Sequence, residues 1–186
     1  EAGHALMAAV LPQTDPVHKI SINSRGRAGG FTLKLPTEDR HLYSKTHFVS
    51  DLAVSLGGYP AEQLGFTERT TGASDDLRRA TDLARAMVTR YGMSEKVGPI
   101  AFARDEHVFL GREMGSERTY SEDLAKLVDQ EVTSFMKKAF QTAKTSLAKH
   151  RKMLDALAEK LIKEETIERE EFAAFIKNFG IVQSGA

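Results

Sequence analysis

A chain of 186 residues, 41% hydrophobic and 28% charged, has a globular composition and room for one domain or two small ones. Its 26 Lys and Arg balance 26 Asp and Glu, which gives no sign of a nucleic-acid-binding surface. Cysteine is absent, which excludes disulfides, thiolate metal sites and a cysteine nucleophile, and the longest purely apolar run, Ala5 to Leu11, is far short of the roughly 20 residues of a membrane helix.

The opening EAGHALMAAVL spaces its apolar positions as a helix does, and Pro12 with Asp15-Pro16 breaks it. The stretch VHKISINSRGRAGGFTLKLP carries the strand signal: Val17, Ile20 and Ile22 are β-branched, and GGFTLKL alternates after a glycine-rich turn. From Lys45 onward the pattern is helical. Phe48, Leu52, Ala53 and Leu56 form one apolar face, and Leu77, Ala80, Ala84, Met87, Val88 and Tyr91 form another. Ser74 reads as the N-cap of a helix over 75–91, Asp75 and Asp76 complement its dipole, and Gly92 ends it. A long polar loop follows. Ser121 then caps a helix to about His150, with Glu122 and Asp123 in its first turn, and a further amphipathic stretch covers 154–162. Glu168 opens a last helix with a buried stripe of Phe172, Phe175, Ile176 and Phe179. These elements predict a mainly α (α+β) chain with a small β-sheet. Its parts are 1–103, a loop at 104–118 and a C-terminal helical hairpin or bundle at 119–180, which packs on the first part or on a neighbouring subunit. No signal peptide is visible, and the start without Met reads as a fragment of a longer protein.

The first four residues raise a chemical question. A histidine in front of Glu1 would complete H-E-A-G-H, whose two histidines share a helix face and meet at one metal. Zinc then needs a third protein ligand and keeps a fourth position for water, from which the glutamate takes a proton. Without that first histidine, E-x-x-H is equally a Glu–His pair on a helix surface. His41, His47, His107 and His150 stand singly in charged surroundings, and His18 lies in the strand region, so all are poor third ligands. The most pointed carboxylates are Asp75 and Asp76, which also suit a helix N-terminus without any metal.

Several segments together resemble the FtsH family of membrane-anchored, ATP-dependent zinc metalloproteases. They are EAGHALMAAV, DPVHKISINSRGRAGGFTLKLPTEDR, LGGYPAEQLGF, TTGASDDLRRATDLARAMVTRYGMSEKVGPIAF and LVDQEV, in family order and spacing. The T-G-A-S-x-D-[LI] and G-R-A-x-G-x-T blocks carry the most specificity. The resemblance implies a helical peptidase domain, 1–186, with its small sheet beside the zinc site. It implies that His4 and Asp76 are zinc ligands, that Glu1 is the general base, and that Asp75, where the family commonly has Asn, is not a ligand. Glu62 would orient a histidine by accepting its other ring N–H, with a surface glutamate as the plain alternative. Gly29, Gly30, Phe31 and Thr32 would lie on a strand whose edge binds extended peptide; the plain alternative is a hairpin with a glycine turn.

The resemblance further implies that a separate domain uses ATP, since no G-x-x-x-x-G-K-[ST] loop is present here. Partners would be unfolded or membrane protein substrates and other copies in a homo-hexamer, with no nucleic acid. The full-length protein would be membrane-anchored, its peptidase domain on the cytoplasmic side in a bacterium or at an organelle membrane in a eukaryote. Departures are the absent first histidine, Tyr59-Pro60 where Arg and a small residue are common, and Gln63 where Glu is common. Pro60 predicts that the local helix starts afresh near Ala61. The rival expectation is a proteolytically inactive ring-assembly module with an incomplete zinc site.

Overall fold

The computed structural model describes residues 1–23, 29–36, 42–66, 68, 70–102 and 120–182. The loop expected at 104–118 and residues 24–28 of the glycine-rich segment lie outside them. As expected, the fold is mainly helical with one small sheet.

Helix α1 (Ala2–Val10) is the centre of the molecule. Gly3 and Ala5–Ala9 are all buried, and its small residues let neighbours approach from several sides. Helices α2 (Lys45–Ser55) and α3 (Gly58–Gly65) pack on it. So do α5 (Glu122–Lys149) and α6 (Arg151–Glu164), so the C-terminal helices close over the first part within the same chain. Helix α4 (Ser74–Thr89) lies against α2 and α5.

The sheet orders β2 (Phe31–Lys34), β1 (Val17–Ser21) and β3 (Thr166–Glu168), all antiparallel. In its centre Ile20 pairs with Thr32 on one side and Ile167 on the other, and both isoleucines are fully buried. Residues directly opposite share a face, so Thr32 also points to the inner face of the sheet. Strand β3 was not expected. Its three residues are too short for a periodic signal, and Ile167 is buried only because β1 supplies its partner.

Several local expectations are corrected. Ser74 is the first residue of α4 and not its cap; Thr70 instead caps a 3-10 turn at Thr71–Ala73 by accepting the Gly72 N–H at 3.1 Å. Helix α4 stops at Thr89, and Gly92 takes its left-handed φ of 60° in the following turn. Ala80, Ala84, Met87 and Val88 are buried, but Leu77 and Tyr91 at the stripe's ends are exposed. Tyr91 stacks on Phe48 at 5.4 Å. Helix α3 does not restart at Ala61: it begins at Gly58, and Pro60 sits in the first turn, where its missing N–H has no intrahelical partner to lose. Ser121 does cap α5, accepting the Leu124 N–H. In α7 (Arg169–Lys177) the buried stripe narrows to Phe172 and Ile176, while Phe179 lies beyond the helix and is exposed.

One buried carboxylate ties α5 to the turn after α4. Glu131 accepts from Ser94 Oγ at 2.7 Å and from Lys96 Nζ at 3.0 Å, while Ser94 Oγ accepts the Val97 N–H. Burial alone would raise this carboxyl; the bonds from Ser94 and Lys96 and the charges of Lys96 and Lys138 outweigh burial and hold it below its ordinary value. A carboxyl lowered on folding adds stability above its unfolded pKa, and that stability is lost as pH falls through the folded value. Glu131→Gln should therefore cost about 1.5 kcal/mol at neutral pH, the scale of a charged hydrogen bond. The gap to the native chain should close below about pH 4 in urea titrations. A gap independent of pH would contradict this assignment.

Candidate functional site

The site forms where the first turn of α1 meets the end of α2, the start of α3 and the start of α4. The last carbonyls of a helix lack intrahelical partners. One of these in α2, the Val54 carbonyl, accepts a hydrogen bond from His4 Nδ1 at 2.9 Å. A carbonyl only accepts, so Nδ1 carries the hydrogen and the ring is fixed in orientation and tautomer. The opposite nitrogen, Nε2, faces Asp76 Oδ2 at 3.1 Å. With Nδ1–H committed to Val54, a proton or a metal cation must lie between Nε2 and that carboxylate.

Asp76 reaches His4 from the first turn of α4, where the helix dipole also favours its charge. Partial burial alone would raise its carboxyl. The hydrogen bond and charge of His4 and the charge of Arg79 outweigh it, so the carboxyl lies below its ordinary value. Asp75 is different. It is exposed and pairs with Arg78 at 3.2 Å on its own helix.

Two glycines make the approach of these elements possible. A Cβ on Gly57 would lie 2.8 Å from the Gly3 carbonyl oxygen, so α1 and the start of α3 touch backbone to backbone. A Cβ on Gly58 would lie 2.7 Å from His4 Nε2, so the bare backbone there lets the ring take its place. Sequence reasoning singled out neither glycine for the site. The Gly57-Gly58 pair was the available signal.

Glu1 is the residue before α1, yet its carboxylate does not cap that helix. It turns to the sheet, where Thr32 Oγ1 donates to Glu1 Oε2 at 2.7 Å. Gly30 stands beside it: a Cβ there would come 2.8 Å from Glu1 Cγ. Gly29 is exposed, with no atom near the place of its missing Cβ, and Phe31 is half-buried. Thus Gly30 and Thr32, expected to meet substrate, lie against the expected base.

Glu62 in α3 does not accept from His4, whose Nδ1 is taken by Val54. Its Oε1 accepts from Thr70 Oγ1 at 3.0 Å, and its Oε2 is buried without a hydrogen-bond partner among the described residues. The other histidines are elsewhere. His47 is buried and bonds the Gln13 carbonyl at 2.7 Å, His18 is exposed on β1, and His150 joins α5 to α6. His41 and His107 lie outside the described residues.

His4 and Asp76 fit a zinc ion. Two tetrahedral ligands at about 2.0–2.1 Å from zinc stand about 3.3 Å apart, close to the separation found here, and nitrogen with carboxylate oxygen is a zinc donor set. A ring N–H bonded to a backbone carbonyl is also the usual support of a metal-bound histidine. Among the described residues no group of three His, Cys, Asp or Glu side chains gathers to hold a metal, so these two are a partial set.

Residues 1–175 match peptidase family M41. The chain is 50% identical over 175 residues, 94% of its length, to the ATP-dependent zinc metalloprotease FtsH 1 of Sphaerobacter thermophilus, of which it covers 27%. It is 47% identical over 184 residues, 96% of its length, to the ATP-dependent zinc metalloprotease FtsH 3 of Synechocystis, covering 30% of that protein. The FtsH of Rubrobacter xylanophilus is 44% identical over 182 residues, 97% of this chain and 28% of that protein. The chain thus spans little more than a quarter of the length of these relatives.

Proposed function

Since this chain belongs to peptidase family M41, we propose that it is the zinc-dependent endopeptidase domain of an ATP-dependent, membrane-anchored protease that hydrolyses unfolded or membrane protein substrates. The observation that carries this reading is the His4 ring, pinned by Val54 and turned to Asp76 three residues along α1 from Glu1. His4 and Asp76 would hold the metal, and a histidine placed before Glu1 would share the His4 face at i, i+4 and supply a third ligand. The buried, unpartnered Oε2 of Glu62 supports a role as acceptor for that histidine's other ring N–H.

When bound, zinc polarises the scissile carbonyl and makes water a nucleophile near neutral pH. Glu1 takes the proton that the attacking water loses and returns it to the leaving amine as the C–N bond breaks. Among the described residues β2 is the terminal strand of its sheet, so its outer backbone groups suit an extended peptide at Gly29–Thr32. No helix of the described residues is long and apolar enough to cross a membrane. Anchoring and ATP hydrolysis are assigned to other segments of a hexameric protein. Its peptidase domain faces the cytoplasm in a bacterium, or lies at an organelle membrane in a eukaryote.

The test uses carboxymethylated casein, which needs no unfolding. A chain with one histidine added before Glu1 should retain about one zinc after dialysis and cleave casein; the chain without it should bind zinc far more weakly. An extended chain that neither keeps zinc nor cleaves casein would overturn this reading and leave the alternative, a proteolytically inactive ring-assembly module.

A further inference from the structure

We infer that Thr32 is a positioning residue for the general base, holding one carboxylate oxygen of Glu1 so that the other is aimed at the attacking water. The inference rests on the reading of Glu1 as that base. It assigns the Thr32 hydroxyl to Glu1 and leaves the outer backbone groups of the strand to the peptide.

Three observations support it. First, the Thr32 hydroxyl has one hydrogen and two acceptors on Glu1, and it lies much nearer the charged one: 2.7 Å from Oε2 against 3.4 Å from the backbone carbonyl. Second, the carboxylate makes no capping bond to α1, so its own helix does not hold it. Third, the strand is shaped around it. Residues two apart share a face of a strand, so Gly30 and Thr32 both meet Glu1. A Cβ at Gly30 would stand 2.8 Å from Glu1 Cγ and 2.6 Å from the Ser21 carbonyl oxygen.

The hydroxyl is itself firmly placed. Thr32 pairs with the buried Ile20 in the central strand, and a β-branched side chain has restricted χ1 freedom. The sheet therefore fixes the hydroxyl, and the hydroxyl fixes the carboxylate. With Oε2 held, Oε1 accepts the water proton. A base held in one orientation reacts faster than one that samples many, and small misplacements of reacting groups are costly.

The experiment compares Thr32→Val, Thr32→Ser and Glu1→Gln, each with a histidine added before Glu1 and loaded with zinc, on an unstructured fluorogenic peptide. Valine keeps the shape and removes the donor; serine keeps the donor. Thr32→Val should lower kcat roughly ten-fold with KM within about two-fold and zinc content unchanged, and Thr32→Ser should restore kcat to within about two-fold. A raised KM with normal kcat in Thr32→Val would make Thr32 a substrate contact and overturn the inference. Loss of zinc or of thermal stability in both Thr32 variants would make it merely structural, and overturn it equally. Near-normal cleavage by Glu1→Gln would remove the base itself, a failure distinct from that of Thr32. An inactive Glu1→Gln beside an unchanged Thr32→Val would defeat Thr32 alone.

Discussion

Asp76→Asn, in the chain extended by a histidine before Glu1, should lose zinc and peptide hydrolysis together, while Asp75→Asn keeps both. Neighbours on a helix point about 100° apart, so one of the two faces the site. Asp76 stands 3.1 Å from His4 Nε2, whereas Asp75 is turned to solvent and Arg78. Removing a residue that only orients a metal ligand costs roughly 10–100-fold in affinity, so removal of a ligand should exceed about 100-fold. Zinc content after dialysis against a chelator of graded strength gives the comparison. Asp75 instead lies in an exposed i, i+3 pair, worth a few tenths of a kcal/mol. Zinc loss in the Asp75 variant, with the Asp76 variant intact, would shift the ligand by one position and break the account of α4.

Glu1→Gln should separate metal binding from chemistry. The amide matches the carboxylate in size, its side chain lies against Gly30 and Thr32, and it is not one of the proposed ligands. Zinc and fold should therefore survive. An amide cannot take the water proton, and loss of a general base costs roughly 10²–10⁴-fold in rate. Peptide cleavage and zinc content measured on the same sample decide the matter. Loss of zinc in this variant would make Glu1 a support of the metal instead of a base.

The helices and the first two strands could be read from the sequence because their signals are local. Spacings of three and four mark α4 through Ala80, Ala84, Met87 and Val88, and Ser121 announces α5. What could not be read depends on distant partners. Thr166–Glu168 becomes a strand only beside β1. Leu77 and Tyr91 fit the apolar period of α4 but remain exposed, Tyr91 covered on one face only by Phe48.

The same division runs through the site. Glu1, His4 and Asp76 can be proposed from the sequence because family motifs are written in side chains. The Val54 carbonyl cannot, because a backbone acceptor has no sequence signature; it is available only because α2 ends there. Gly58 was passed over because a missing side chain announces nothing until the ring of His4 is seen beside it. Thr32 reads as part of a peptide-binding strand edge, and no sequence pattern shows that its register against Ile20 also brings the hydroxyl to Glu1.

The central claim is that His4 and Asp76 hold one zinc between them. A crystal of the extended, zinc-loaded chain, measured on both sides of the zinc absorption edge, tests it most directly. One anomalous peak per chain is expected, about 2.0–2.2 Å from both His4 Nε2 and Asp76 Oδ2, with the His4 Nδ1 bond to Val54 kept. A peak held by other residues, or none at stoichiometric zinc, would contradict the claim.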